Sequence, residues 1–182
     1  MIKDVLNHIG ENVNTLNAGV FNHFSTNCIR IKGRVIKGFG FESEDAGMSD
    51  IEGRGFYIRY NGTITYTNNA KSIRSGSKPI RLIAPLRLCV YDFEDTPLDP
   101  FLIEQKMRND LLSIRDKSYV SESQKMVDLE IRSCILNNYE AIMNELEVKS
   151  WDDLGKNAKN TVVIIDFNLT LDCYHDSCIT LC

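Results

Sequence analysis

Long apolar runs are missing from this chain, which nowhere reaches the roughly 20 consecutive apolar residues needed to cross a bilayer. Its first residues, MIKDVLNHIGENVN, carry acids and amides where a secretory leader carries an apolar stretch, so no cleaved signal is expected. A basic excess is missing too. The 21 Lys and Arg stand against 25 Asp and Glu, giving a formal charge of -4 and a pI near 5.4, which argues against a protein that sheathes nucleic-acid phosphate. There is no Walker loop, no GxGxxG, no GxSxG and no HExxH. Histidine is scarce at three in 182 residues, and His8 and His23 stand alone beside the first helical segment, as helix-flanking residues rather than general bases. Repeats and low-complexity tracts are also lacking. What remains is 43% hydrophobic and 25% charged, the composition of a soluble globular chain, which excludes collagen-like or disordered material.

Six cysteines are present, at 28, 89, 134, 173, 178 and 182. Cys28, Cys89 and Cys134 each lie inside apolar or alternating segments and read as small buried hydrophobes. With no leader expected, the chain is expected to fold in a reducing cytoplasm, where a disulfide framework is not expected.

Periodicity places the elements. Ile2, Val5, Leu6, Ile9, Val13 and Leu16 fall at steps of three and four, one stripe of an amphipathic helix interrupted by Gly10. From Asn27 the period becomes two, with Ile29, Ile31 and Val35 alternating with Arg30, Lys32 and Arg34. The run GFYIRYNGTITYT predicts a hairpin turning at Asn61-Gly62, since that dipeptide accepts positive φ. Over 80–92, Ile80, Leu82, Ala84, Leu86, Leu88 and Val90 share one face with Arg81, Arg87 and Tyr91 on the other, and Pro85 marks an edge or a bulge. TPLDP starts a helix with Asp99 as N-cap and Pro100 at its first position, buried through Ile103, Met107, Leu111 and Ile114. A strand carrying Val127, Leu129, Ile131 and Ile135 on one face follows, then a short helix, NYEAIMNEL, capped by Asn137 or Asn138, with Glu140 placed to close a box from Asn137. Trp151 and Leu154 anchor the next turn. Over 162–173, Val163, Ile165, Phe167, Leu169 and Leu171 face opposite to Asp166, Asn168, Thr170 and Asp172.

This order predicts one α+β domain over residues 1–182, with loops at 40–55 and 68–79 and a Cys-rich tail at 174–182. Its sheet is mainly antiparallel with about five to six strands, helices packed on one apolar face and a polar face left free.

Candidate chemistry is thin. The glycines of GRVIKGFG and of Gly53-Arg54-Gly55 do not lie between a strand and a following helix, as a phosphate cradle requires, and read as bulges or turns. In CYHDSCITLC the residues Cys173, His175, Cys178 and Cys182 offer four soft ligands. Zinc, redox chemistry and a frayed tail all fit the composition, but one strand end supplies every ligand, and parity puts Cys173 on the apolar face. Asp92 with Glu94 and Asp95, and Asp152 with Asp153, read as solvated turn acids. Arg30, Lys32, Arg34 and Lys37 make a basic face without the aromatic interleaving of a base-stacking platform. No catalytic residue, cofactor or metal ligand is assigned.

The N-terminal helix, the passage PLRLCVYDFEDTPLDP into FLIEQKMRNDLLSI, the passage VDLEIRSCILNNYEAIMNEL and the final VVIIDFNLTLDCY follow one element order. As a pattern it resembles the tail-terminator and head-to-tail connector ring proteins of tailed bacteriophages. The resemblance implies a noncatalytic virion subunit of the neck or tail, made in the host bacterial cytoplasm. Its partners would be copies of itself in a head-to-tail ring and neighbouring portal, connector or tail proteins. It implies no membrane and no sequence-specific nucleic-acid binding, and leaves room for DNA to pass through a ring lumen.

Charge offers a contact independent of that resemblance. Acidic Glu42, Glu44, Asp45, Asp50 and Glu52 precede the expected hairpin and basic Lys71, Arg74 and Lys78 follow it, with Arg81 just beyond. Head-to-tail rings need two different complementary patches. Two solvated loops of opposite sign are the alternative, and a bacterial ligand- or protein-binding module with an exposed sheet face is the competing function. A catalytic role is the weakest of the three, for want of any catalytic spacing. If the tail holds no structural metal, a chain cut after Cys173 keeps its melting temperature. Stoichiometric zinc with unfolding on chelation is the contrary result.

Overall fold

A computed structural model describes residues 2–16, 24–25, 28–31, 34–37, 50–51, 54–67, 79–92, 96–117, 119–121, 124–145 and 161–174. In chain order these form α1 (Ile2–Leu16), β1 (Phe24–Ser25), β2 (Cys28–Ile31), β3 (Arg34–Lys37), β4 (Asp50–Ile51), β5 (Arg54–Tyr60) and β6 (Thr65–Thr67). There follow β7 (Ile80–Asp92), α2 (Pro100–Asp116), β8 (Gln124–Leu136), α3 (Tyr139–Glu145) and β9 (Thr161–Cys173). The main sheet runs β1-β5-β7-β9-β8, with β6 also paired to β7. Among the described residues of this sheet only β1 joins in parallel, so the chain is α+β around an open antiparallel sheet. β3-β2-β4 form a second, smaller sheet.

The core follows from strands that alternate in phase. β7 and β9 pair over their full length, setting Leu82 opposite Leu171, Ala84 opposite Leu169, Leu86 opposite Phe167, Leu88 opposite Ile165 and Val90 opposite Val163. All of these are buried. Against them pack Val5, Leu6, Ile9 and Val13 of α1 and Ile103, Met107, Leu111 and Ile114 of α2, the stripes that the helical periods define. Gly10 is buried within α1. At the start of α2 the Asp99 carboxylate accepts from the Phe101 N–H at 2.9 Å, with Pro100 next in line.

The expected hairpin at Asn61-Gly62 does not form. β5 and β6 do not pair with each other; both lie along the same side of β7, with Tyr60 opposite Leu86 and Thr65 opposite Ile83. The break between them faces Pro85, whose carbonyl accepts from the Asn61 N–H at 2.9 Å. A strand residue points its N–H and C=O to the same side, so the donor that proline lacks also faces this break, and β7 is left free to pair without interruption with β9. Gly62 has φ of +143°, and a Cβ there would sit 3.1 Å from Pro85 Cγ, so the glycine serves a close approach to proline instead of a reversal. Pro85 is therefore in an internal strand, opposite a gap in its neighbour.

Two further expectations change. Cys28–Ile31 and Arg34–Lys37 make two antiparallel strands, with Arg30 opposite Val35 and Ile31 opposite Arg34, where one strand was expected. In β8, register shifts at Val127 and Arg132 move the alternation by one residue each time. Val127 is consequently 41% exposed and Ile135 pairs with Ile164 on the second face, while Met126, Leu129, Ile131, Cys134 and Leu136 face or flank the core.

The short helix α3 is capped by Asn138, whose side-chain oxygen accepts from the Ala141 N–H at 3.0 Å. Asn137, at φ 43°, instead extends the ladder: its N–H donates to the Val162 carbonyl at 3.0 Å and its Oδ1 accepts from the Val162 N–H at 2.8 Å.

Trp151, Leu154, the tail from residue 175, and Glu42, Glu44, Asp45, Glu52, Lys71, Arg74 and Lys78 lie outside the described residues. Asp50 is described, in β4 opposite Arg30. No helix among the described residues is long and apolar enough to cross a membrane.

The shifted parity of β8 gives a paired expectation. Phe167→Ala should cost about 3–5 kcal/mol, and Val127→Ala less than about 0.5 kcal/mol, both read from urea melts. Equal costs would refute the register.

Candidate functional site

The second face of the sheet carries one transverse row of polar side chains. Arg59 of β5 stands opposite Arg87 of β7, Arg87 opposite Asp166 of β9, and Asp166 opposite Ser133 of β8. Two guanidinium groups set directly opposite would repel. An anion arrives from outside the sheet, because α3 ends on Glu145 and brings its carboxylate between them.

Each carboxylate oxygen of this row is occupied. Glu145 Oε1 accepts from Tyr57 Oη at 2.8 Å and Arg59 Nε at 2.6 Å, and Oε2 from Arg59 Nη2 at 2.5 Å and Arg87 Nη1 at 2.7 Å. Asp166 Oδ1 accepts from Arg87 Nε at 2.6 Å and Asn61 Nδ2 at 2.9 Å, and Oδ2 from Arg87 Nη2 at 2.9 Å and Ser133 Oγ at 3.2 Å. Arg87 thus bridges both acids, and each arginine meets one of them as a two-pronged fork. Two positive and two negative groups leave the row neutral.

Beside this row Tyr57, Cys89 and Ile164 follow one another across β5, β7 and β9, and all three are fully buried, with Tyr91 and Val162 one row further. The polar face is therefore only partly free. α1 and α2 hold the first face, and Glu145 of α3 is seated on the second with its side chain wholly shielded. At the other end of that face Arg81 and Asp172 pair at 2.9 Å in the open.

Burial by itself would raise the Glu145 carboxyl pKa, but the hydrogen bonds from Arg59 and Arg87, with Tyr57 adding to them, outweigh it and hold the group below the usual glutamate range. Burial pushes the Tyr57 hydroxyl and the Cys89 thiol well up, and the Glu145 charge adds to both. Tyrosine and thiol thus stay protonated at neutral pH. This arrangement fixes charge and ties α3 to two strands, β5 and β7; it leaves neither the Glu145 carboxylate nor the Cys89 thiol free to react.

Other sequence candidates have separate fates. Asp92 is fully buried instead of solvated, and its Oδ2 accepts from the Leu98 N–H at 2.7 Å, pinning the approach to α2. Glu94, Asp95, Asp152 and Asp153 lie outside the described residues, as does His23. His8 sits half-buried within α1, its ring 5.2 Å from that of Tyr119. Arg54 and Gly55 open β5 as strand. Among the described residues no group of three or more His, Cys, Asp or Glu is placed to hold a metal ion.

Sequence reasoning put Arg87 and Asp166 on the polar face and missed Tyr57, Arg59, Asn61, Ser133 and Glu145. The available signal was opposite charge at matching parity on long strands. Nothing local marks Glu145, whose partners are 58 to 88 residues away. Neither a protein-family model nor a curated protein matches the chain.

Glu145→Ala should cost about 3–5 kcal/mol, since it leaves two arginines without their shared anion. The pH sign follows from the lowered carboxyl: its stabilisation is complete above the ordinary glutamate pKa, about 4.3, and is lost as pH falls through the lower folded value. Urea melts of wild type and Glu145→Gln should differ most near neutrality and converge in acid. A gap that widens in acid would refute the assignment.

Proposed function

We propose that the chain is a noncatalytic assembly subunit whose protomers join head to tail, and that the assembly is the connector or tail-terminator ring of a tailed bacteriophage virion. The element order supports the second part, through the resemblance already described. One geometric observation supports the first. β5 and β6 run on in line along one side of β7, so the acidic and basic segments attach at opposite ends of that side. Arg54, just past the acidic segment, pairs with Asp92, and Thr67, just before the basic one, pairs with Arg81. Those positions are eleven residues of β7 apart, roughly 36 Å at about 3.3 Å per residue.

Anchors that far apart on one protomer favour contact between copies over neutralisation within one, which is the requirement of a heterologous interface. On this reading Glu42, Glu44, Asp45, Asp50 and Glu52 of one copy meet Lys71, Arg74 and Lys78 of the next. The binding-module reading needs a groove on the second face. There Tyr57, Cys89 and Ile164 are fully buried and both arginines are engaged, so the assembly reading is preferred.

Native mass and particle images of the purified chain should show a closed ring of many copies; a clean monomer would overturn the reading. Reversing Glu42, Glu44 and Asp45 to lysine should weaken assembly, most at low salt where screening is least. Reversing Lys71, Arg74 and Lys78 to glutamate in the same chain should restore it. Light scattering indifferent to reversal and to salt would remove the charge mechanism.

A further inference from the structure

α3 has seven residues, far short of the length at which a helix holds itself together in water. Its last turn carries no base, and it ends on Glu145, an acid at the negative end of the helix dipole. Released from the sheet, the segment would lose its reason to be helical. Docked, Glu145 gains four hydrogen bonds from Tyr57, Arg59 and Arg87, which outweigh both defects. Helix formation and docking are therefore one event. The first-face cluster does not take part in that event, because α1 and α2 pack on the other side of the sheet.

We infer that α3 is a clasp with two states, folded and seated on the second face or unfolded and released, with Glu145 as its latch and the Cys89 thiol among the groups that release uncovers. Cys89 is suited to report it. It stands directly opposite Tyr57, which bonds the latch, and is completely buried, whereas Cys173 is 2% exposed on the first face.

The test is the rate of alkylation of each cysteine in the native full-length protein by iodoacetamide, resolved by peptide mass. In Glu145→Gln, Cys89 should react at least about tenfold faster than in wild type, the latch having lost its charge. Cys173 should keep its rate. Acceleration of both cysteines alike would mean that only global unfolding exposes Cys89, and an unchanged Cys89 would mean that Glu145 is no latch; either result overturns the clasp. Should the variant fail to fold, wild type alone decides. Below the unfolding transition, local release gives a Cys89 rate with little dependence on urea, because little surface is exposed. A Cys89 rate that climbs with urea as steeply as global unfolding overturns the inference.

Discussion

β7 and β9 pair through thirteen residues without a break, and the rest of the main sheet and the two long helices take their positions from that ladder. Its register is set from both faces at once. A slip of one residue would turn Leu82, Leu86, Leu88 and Val90 away from the helices and drive Arg87 into the space they vacate. The same register that stacks Leu86 on Phe167 also brings Arg87 opposite Asp166 on the far side. Apolar packing supplies the stabilisation and the charged pair selects the alignment, so the two faces of one ladder make the same choice. The location of Pro85 belongs to this economy, since its missing donor is turned toward the β5–β6 break and away from β9.

Glu145 follows from the ladder as well. Extending the sheet to β5 sets Arg59 opposite Arg87, a juxtaposition that needs a counter-ion. Burying a carboxylate to provide one has a desolvation cost that the charge pairing only partly offsets, and a well-packed apolar trio at the same positions could be equally stable. What the ionic version adds is discrimination. No residue but an acid at that point of α3 satisfies two arginines and the Tyr57 hydroxyl, so the segment between β8 and β9 has one place to settle.

The sequence was most legible where one period runs unbroken. β9 alternates from Ile165 to Cys173, and the α2 stripe follows a recognisable Asp-Pro start, so their core faces could be assigned from spacing alone; Val162 and Ile164, apolar and buried on the second face, break the alternation at its start. It misled where a local signal had two physical uses. Asn61-Gly62 offers positive φ, which suits a tight turn but also a strand that must pass a proline ring closely, and the choice rests with Pro85, two dozen residues on. β8 misled because a bulge leaves no fixed letter behind. Val127 and Arg132 look like ordinary members of an alternating run, and only the fixed register of β9 shows that each is an extra residue. The charge row was half legible, since parity exposes Arg87 and Asp166 but says nothing of an acid delivered by a helix.

The form of β8 also bears on how copies of this chain would meet. β8 is the outermost long strand, and an open edge is the simplest route to joining sheets between protomers. This edge is guarded in three ways. Its two bulges interrupt the regular spacing of donors and acceptors. Lys125, Asp128, Glu130 and Arg132 along it are exposed and mixed in sign. The turn at 119–121 folds back on its first residues, with the Met126 N–H donating to the Tyr119 carbonyl at 2.8 Å. A guarded edge disfavours strand addition and leaves side-chain and loop contacts to do the joining. On the assembly reading, the weight therefore falls on the oppositely charged segments at the two ends of the β5–β6 line. Contacts of that kind are reversible with ionic strength, as those of a hydrogen-bonded sheet extension are not.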